Sequence, residues 1–280
     1  MPVFTAALQP LPPPPLQPLC LPGLADAAVL RLDLVDPLLT GNKPYKLQGF
    51  LQAAAQAGAE GLISLGGAHS NHLHALAAAG ARFGFATVGL LRGEPVATPT
   101  VRDLERFGMR LHWLGYGGYR QRHQAGFWAP WGARYPRLYP VPEGGGGESG
   151  QAGCRLIVEQ ALAQLPVLGW EGFDAWWLAA GTGTTALGIA QHDPRPVYAA
   201  MVVPPGHGVE AVVAGSGVRL VEAARGGFGR FDEALLAFVA HCRLPVEPLY
   251  TGKALMTLLA HPLRHQRVLF VHTGGVRPAQ

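Results

Sequence analysis

Short apolar runs that end in glycine- or hydroxyl-rich loops recur along this chain, and most are followed by a stretch whose apolar residues fall at helical spacing. Ala28 to Val35 predicts a strand. Pro44, whose fixed backbone angle suits a first helical position, opens a helix through Leu47, Phe50, Leu51 and Ala54 to Gly58. The pattern then repeats. Gly61 to Leu65 predicts a strand, Gly66 and Gly67 a loop, and the alanine-rich Leu73 to Ala79 a helix. Further strands are expected at Ala86 to Leu91, Met109 to Leu114, Trp176 to Ala180 and Val197 to Val203, with helices at Thr98 to Phe107 and Phe231 to His241. Such alternation implies an α/β fold with parallel sheets covered by helices on both faces. The run Glu143 to Gly150 contains five glycines and suggests a hinge or crossover. The expected division is a small domain over 46–143 and a large one from 1–45 and 144–280.

Composition narrows the function classes. At 280 residues and 49% hydrophobic, the chain has ample material for a core, and disorder is not expected. The formal charge is +4, yet the arginines are scattered and form no basic and aromatic stripe, so no nucleic-acid partner is expected. No apolar stretch is long enough to span a bilayer. Prolines break the N-terminal segment from Pro10 to Pro22, so a soluble, unexported, cytoplasmic protein is expected. Cys20, Cys154 and Cys242 are far apart and odd in number, and fit neither a disulfide framework nor a zinc pattern.

Lysine usage is the most informative oddity. Of 22 basic residues only Lys43, Lys46 and Lys253 are lysines. Arginine serves wherever a positive charge suffices, but it cannot lose its proton and form an imine, whereas lysine can. Lys43 falls at a predicted helix N-terminus, where the positive end of the dipole disfavours the ammonium form.

Three loops carry candidate chemistry at strand-to-helix junctions, the usual place for ligands in α/β proteins. Gly66-Gly67-Ala68-His69-Ser70-Asn71-His72 offers donors at a helix start, suited to a carboxylate or a phenolate. His69, His72 and His74 match no zinc spacing, so no metal site is expected. His69 or His72 is expected to line a pocket and His74 to be solvated. Gly181-Thr182-Gly183-Thr184-Thr185-Ala186 presents N–H groups and hydroxyls to an anion such as phosphate. Its glycines also satisfy a dinucleotide fingerprint, which keeps a nicotinamide dehydrogenase in view. Near the C-terminus, Tyr250-Thr251-Gly252-Lys253 and His272-Thr273-Gly274-Gly275 place hydroxyls where a ring nitrogen could be met, with Tyr250 able to donate or take a proton.

Together these segments resemble the pyridoxal-phosphate family of 1-aminocyclopropane-1-carboxylate deaminase and D-cysteine desulfhydrase. Gly41-Asn42-Lys43-Pro44-Tyr45-Lys46-Leu47 is similar to that family's GNKxRKL motif, with Tyr45 in place of the usual arginine. The remaining loops resemble its QSNQ or HSNQ loop, its phosphate loop, its YTGK or YEGK element and its HTGG or HLGG element in order, from about Arg31 to Gly275, with His72 in place of glutamine and Phe228 where many members carry tyrosine. The resemblance implies a two-lobed tryptophan-synthase-β-like fold, pyridoxal-phosphate fold type II, with the cofactor between the lobes and a homodimer as the assembly. It implies Lys43 as the Schiff-base lysine and Lys46 as a phosphate contact. Asn71 would meet the phenolic oxygen, Gly181, Thr182, Gly183, Thr184 and Thr185 the phosphate, and Thr251 and Thr273 the ring nitrogen. Ser70, Asn71, His72 and Tyr250 would meet a small amino-acid substrate. A non-catalytic pyridoxal-phosphate or amino-acid binder is the alternative outside catalysis.

Deaminase-type members carry Glu and Leu where this chain has Thr251 and Thr273. Two neutral hydroxyls imply a less fully protonated ring nitrogen and a weaker electron sink. The expectation is β-elimination of a thiol from D-cysteine, giving pyruvate, ammonia and sulfide, in preference to opening a cyclopropane.

Overall fold

The computed structural model describes residues 3–227 and 229–275. The chain divides into two compact units, one of Met1–Pro10 with Lys46–Gly150 and the other of Leu11–Tyr45 with Gln151–Gln280. Among the described residues the strands are β1 (Leu16–Pro18), β2 (Asp26–Arg31), β3 (Gly61–Gly66), β4 (Ala86–Leu91), β5 (Arg110–Trp113), β6 (Leu138–Val141), β7 (Ala175–Ala180), β8 (Val197–Met201), β9 (Arg219–Glu222) and β10 (Arg267–His272). Among the described residues no helix is long and apolar enough to cross a membrane.

The larger unit is built on a six-stranded sheet of order β1-β2-β10-β7-β8-β9. Only β1 runs antiparallel; the other pairings are parallel. Every residue of β7 is buried, and alternation along it feeds two separate cores. Trp176, Leu178 and Ala180 pack with Ile157, Val158 and Ala161 of the Arg155–Gln164 helix. Ala175, Trp177 and Ala179 pack with Ala254, Leu255 and Leu258 of the Thr251–Ala260 helix. The buried Trp177 indole donates to Ala254 O at 2.8 Å, so the large ring is housed without an unsatisfied N–H. Burying each such large apolar side chain contributes roughly 1.5–3 kcal/mol, and this two-sided burial makes the central strands continuous apolar runs.

Register sets the position of the loops. His272 lies opposite Arg31 in the β10–β2 ladder, and Val271 opposite Leu178 in the β10–β7 ladder. The C-terminal ends of β2, β10 and β7 are therefore neighbours at one edge of the sheet. From them leave the Lys43 segment, the His272–Gly275 tail and the Gly181 loop.

The smaller unit has a four-stranded, wholly parallel sheet of order β5-β4-β3-β6. The Asn71–Phe83 helix follows the fully buried β3 and ends at Gly84, whose φ of +78° is the left-handed conformation that glycine adopts at low cost. The start of the chain belongs to this unit because Phe4 is buried edge-on against Phe85, with ring centroids 5.2 Å apart.

Several boundaries differ from the pattern-based expectation. β2 stops at Arg31 rather than running to Val35, because Asp33 accepts two hydrogen bonds from the Arg31 guanidinium, at 2.8 and 2.6 Å, and the chain turns through Leu32–Leu34. The glycine-rich run is not simply a connector: it forms a 3-10 turn at Glu143–Gly145 and leads into the helix Glu148–Gly153. β1, β6, β9 and the Arg155–Gln164 helix are elements that the pattern did not single out.

Candidate active site

In the larger unit the loops converge through side-chain contacts. Lys43 is the first residue of the Lys43–Gln56 helix, and its Nζ donates to Asn42 Oδ1 at 2.5 Å. Asn42 Nδ2 in turn donates to Thr185 Oγ1 at 2.7 Å, a contact spanning 143 positions in sequence. The lysine amine is thereby tethered to the loop that follows β7. Asn42 N also donates to Thr273 O at 3.2 Å, which joins the same segment to the end of β10. That approach is so close that a Cβ on Gly41 would lie 2.1 Å from Thr273 O, and Gly41 has a φ of +75°, so only glycine fits there.

The Gly181–Thr185 loop gathers hydroxyls at the start of a helix. Thr184 and Thr185 are buried, and the Thr182 and Thr184 hydroxyls lie 3.1 Å apart. The helix Thr184–Ala190 begins after Gly183, which carries no side chain to cap it, and its first-turn N–H groups have no intrahelical acceptor. Tyr250 packs on this loop: a Cβ at Gly181 would approach its Cε1 to 2.9 Å.

Thr251, fully buried, starts the next helix beside a carboxylate that the sequence reading passed over. Glu247 accepts from Leu249 N at 2.6 Å, Tyr250 N at 2.9 Å, Thr251 N at 2.8 Å and the Thr251 hydroxyl at 3.1 Å. Its own N–H donates back to Thr251 Oγ1 at 3.1 Å. The signal in the sequence is a glutamate just ahead of a helix start, which invites a capping role.

His272 is fully buried at the end of β10 and its tautomer is fixed by its neighbours. Nε2 donates to Pro245 O at 2.7 Å, and Nδ1 accepts from Gly274 N at 3.3 Å. Burial lowers its pKa, partly opposed by the Asp33 carboxylate 3.3 Å from Nδ1. A histidine held neutral in the fold but able to bind a proton when unfolded makes stability fall as pH drops below about 6.5. Urea midpoints followed from pH 7 to pH 5 should fall in the native protein, and the slope should be shallower in His272→Gln.

In the smaller unit, Lys46 is buried and donates to Gly144 O at 2.8 Å. A Cβ on Gly145 would lie 3.4 Å from both Lys46 and His72, so these two side chains flank that glycine. Ser64 Oγ donates to Val141 O at 2.8 Å and lies 2.8 Å from His72 Nε2, so the serine accepts from Nε2–H and Nδ1 is the acceptor end of the ring. Ser70 is the N-cap of the Asn71–Phe83 helix, accepting from Leu73 N at 3.2 Å, and Asn71 is its first residue.

The three neighbouring histidines go separate ways. His69 is exposed, whereas His74, expected to be solvated, is instead buried with Nε2 3.2 Å from Asp103 Oδ2 and its ring edge-on to Phe107. The position of His74 on the inward face of its helix decides this. Tyr45, anomalous in the motif, is a core residue of the larger unit, with its hydroxyl donating to Gln160 at 2.9 Å. Lys253 is wholly buried and donates to Ala224 O at 2.7 Å and Gly227 O at 2.9 Å. Desolvation lowers its pKa, and its role is to hold that loop. Phe228 lies outside the described residues.

No family model matches the chain. A protein of Thermotoga maritima provisionally named 1-aminocyclopropane-1-carboxylate deaminase is 26% identical over 290 residues, spanning 89% of this chain and 88% of its own. A rice protein provisionally named D-cysteine desulfhydrase 2, mitochondrial, is 40% identical over a shorter stretch of 76 residues, 27% of this chain and 19% of its own. Among solved structures, that of a homologue of 1-aminocyclopropane-1-carboxylate deaminase superposes with a TM-score of 0.74 at 25% identity, covering 98% of this chain and 95% of the other.

Proposed function

We propose that the chain is a pyridoxal-phosphate lyase eliminating the β-substituent of a small amino acid, with D-cysteine as the substrate of choice; its likeness along nearly the whole chain to proteins named for 1-aminocyclopropane-1-carboxylate deaminase supports the fold and the cofactor. The observation that carries this reading is the Lys43–Asn42–Thr185 chain, which ties a lysine amine to a hydroxyl-rich loop at a helix start. The donor set fits the cofactor: an amine for its aldehyde, and buried hydroxyls with uncapped N–H groups for its phosphate. Lys43 would hold the aldehyde carbon and Gly181, Thr182, Gly183, Thr184 and Thr185 the phosphate, with Lys46 as a further phosphate contact. Asn71 would meet the phenolic oxygen, and Thr251 and Thr273 the ring nitrogen.

Pyridoxal phosphate, when bound, supplies a conjugated ring that takes up the electron pair left at the substrate Cα. The chain's own residues do the rest. Lys43 Nζ takes the α-proton as general base. Ser70, Asn71 and His72 bind and orient the substrate, with the Ser70 hydroxyl directed to its carboxylate. Tyr250, resting on the cradle loop, holds a proton for the departing sulfur. D-Cysteine and water give pyruvate, ammonia and hydrogen sulfide, and a thiol with a free pKa of about 8.5 is an adequate leaving group. A base at Lys43 is useful for a substrate with an α-hydrogen, which the cyclopropane amino acid lacks, and the local match to the rice protein supports the same choice.

Cyclopropane opening is the second reading, favoured by the name of the Thermotoga relative along nearly the whole chain and by the carboxylate beside Thr251. Assays against a panel of D- and L-amino acids decide between them. Pyruvate and sulfide from D-cysteine, with little 2-oxobutyrate from 1-aminocyclopropane-1-carboxylate, is the expected outcome; the reverse ratio overturns the substrate choice. A cytoplasmic homodimer goes with this activity on the strength of the family resemblance, and sedimentation checks the dimer.

A further inference from the structure

The Thr251 hydroxyl has one proton to donate and two lone pairs to offer. Its proton is directed at Glu247 Oε1, 3.1 Å away, and one lone pair receives Glu247 N–H, also at 3.1 Å. Thr251 is fully buried, so water does not compete for either bond. Glu247 itself is held firmly. Both its oxygens accept backbone N–H groups, from Leu249 and Tyr250 on one and from Tyr250 and Thr251 on the other, and its carboxyl group lies against Gly275, where an added Cβ would come within 2.9 Å of Cγ. Turning the hydroxyl proton away from this carboxylate would surrender a charge-assisted hydrogen bond in a partly buried setting.

We propose that Glu247 is a positioning residue that fixes the Thr251 hydroxyl as a hydrogen-bond acceptor, so that a ring nitrogen meeting it is held protonated. The proposal rests on the reading above in which Thr251 faces the pyridine nitrogen of pyridoxal phosphate. A neutral nitrogen would present a lone pair to an oxygen whose proton is already committed. A protonated one donates to the remaining lone pair, and the carboxylate behind the threonine stabilises the positive charge through the shared hydroxyl. The Thr251 hydroxyl thus does not act as an isolated neutral group, and the weak sink expected from the sequence gives way to a strong one.

The test uses the full chain loaded with pyridoxal phosphate carrying nitrogen-15 in its ring, read by the nitrogen-15 chemical shift. The native protein should show the upfield resonance of a protonated pyridine, persisting across the neutral pH range. Glu247→Gln, which keeps the size of the side chain but removes its charge, should move the resonance downfield towards the unprotonated value. Thr251→Ala, which leaves the carboxylate and its backbone bonds in place, should move it the same way and serves if the glutamine variant fails to fold. A bound cofactor with a downfield resonance in the native protein, or one unmoved in both variants, overturns the role of Glu247 while leaving the functional reading intact. A native protein that binds no pyridoxal phosphate overturns that reading, and this proposal with it.

Discussion

Lys43→Ala should lose turnover of the preferred amino acid by at least about 10³-fold in kcat/KM, a loss of about 4 kcal/mol in transition-state stabilisation. The expectation follows from its two assigned tasks, since one amine both anchors the cofactor and takes the proton from the substrate. Neither task passes easily to another residue. Lys253 is committed to the Ala224 and Gly227 carbonyls in a wholly buried position, and Lys46 donates to Gly144 O in the smaller unit. The fold should survive the change, because Lys43 is a first-turn residue whose amine bonds its sequence neighbour Asn42. Borohydride reduction of the native holoenzyme followed by peptide mass mapping should place the pyridoxyl group on Lys43. Label on Lys46 or Lys253, or activity retained in the alanine variant, sinks the assignment.

The architecture was legible in the chain because buried parallel strands are written as largely apolar runs. Trp176 to Ala180 and Ala86 to Leu91 could hardly be anything else once the helices between them were seen. The short edge strands β1 and β9 were not, since three or four half-exposed residues carry no period to detect. The loops were legible as chemistry because glycines beside hydroxyls at strand ends are unusual. What joins them was not. Asn42 stood in the lysine motif without a role, and its bond to Thr185 is a tertiary contact that no local pattern announces. Glu247 escaped for a similar reason. The substitution of Thr251 for a carboxylate drew notice to the position itself, while the carboxylate reaches the same hydroxyl from four residues away. His74 was misjudged because a polar residue within an alanine-rich helix was taken to face solvent, although Asp103 waited across from it.

Thr184→Asp should weaken pyridoxal-phosphate affinity by roughly 10²-fold or more, through direct repulsion of the phosphate. Two like charges at contact in a partly buried site repel by about 4 kcal/mol at an effective dielectric near 20, and about 1.4 kcal/mol is tenfold in affinity. Thr184 is the residue to choose because it is 1% exposed, starts the helix after the uncapped Gly183, and shares a hydroxyl contact with Thr182. A buried carboxylate also costs stability on its own account, so the aspartate must be compared with asparagine rather than with the native residue. Thr184→Asn has nearly the same volume and should perturb packing equally, yet it carries no charge and can still donate a hydrogen bond. Titration of both variants with pyridoxal phosphate, followed by the visible absorbance of the bound cofactor, separates the two effects. Equal affinity in the aspartate and asparagine variants would mean that the phosphate is held elsewhere. A large gap, with similar unfolding midpoints in the absence of cofactor, would assign the anion to this loop by its charge alone.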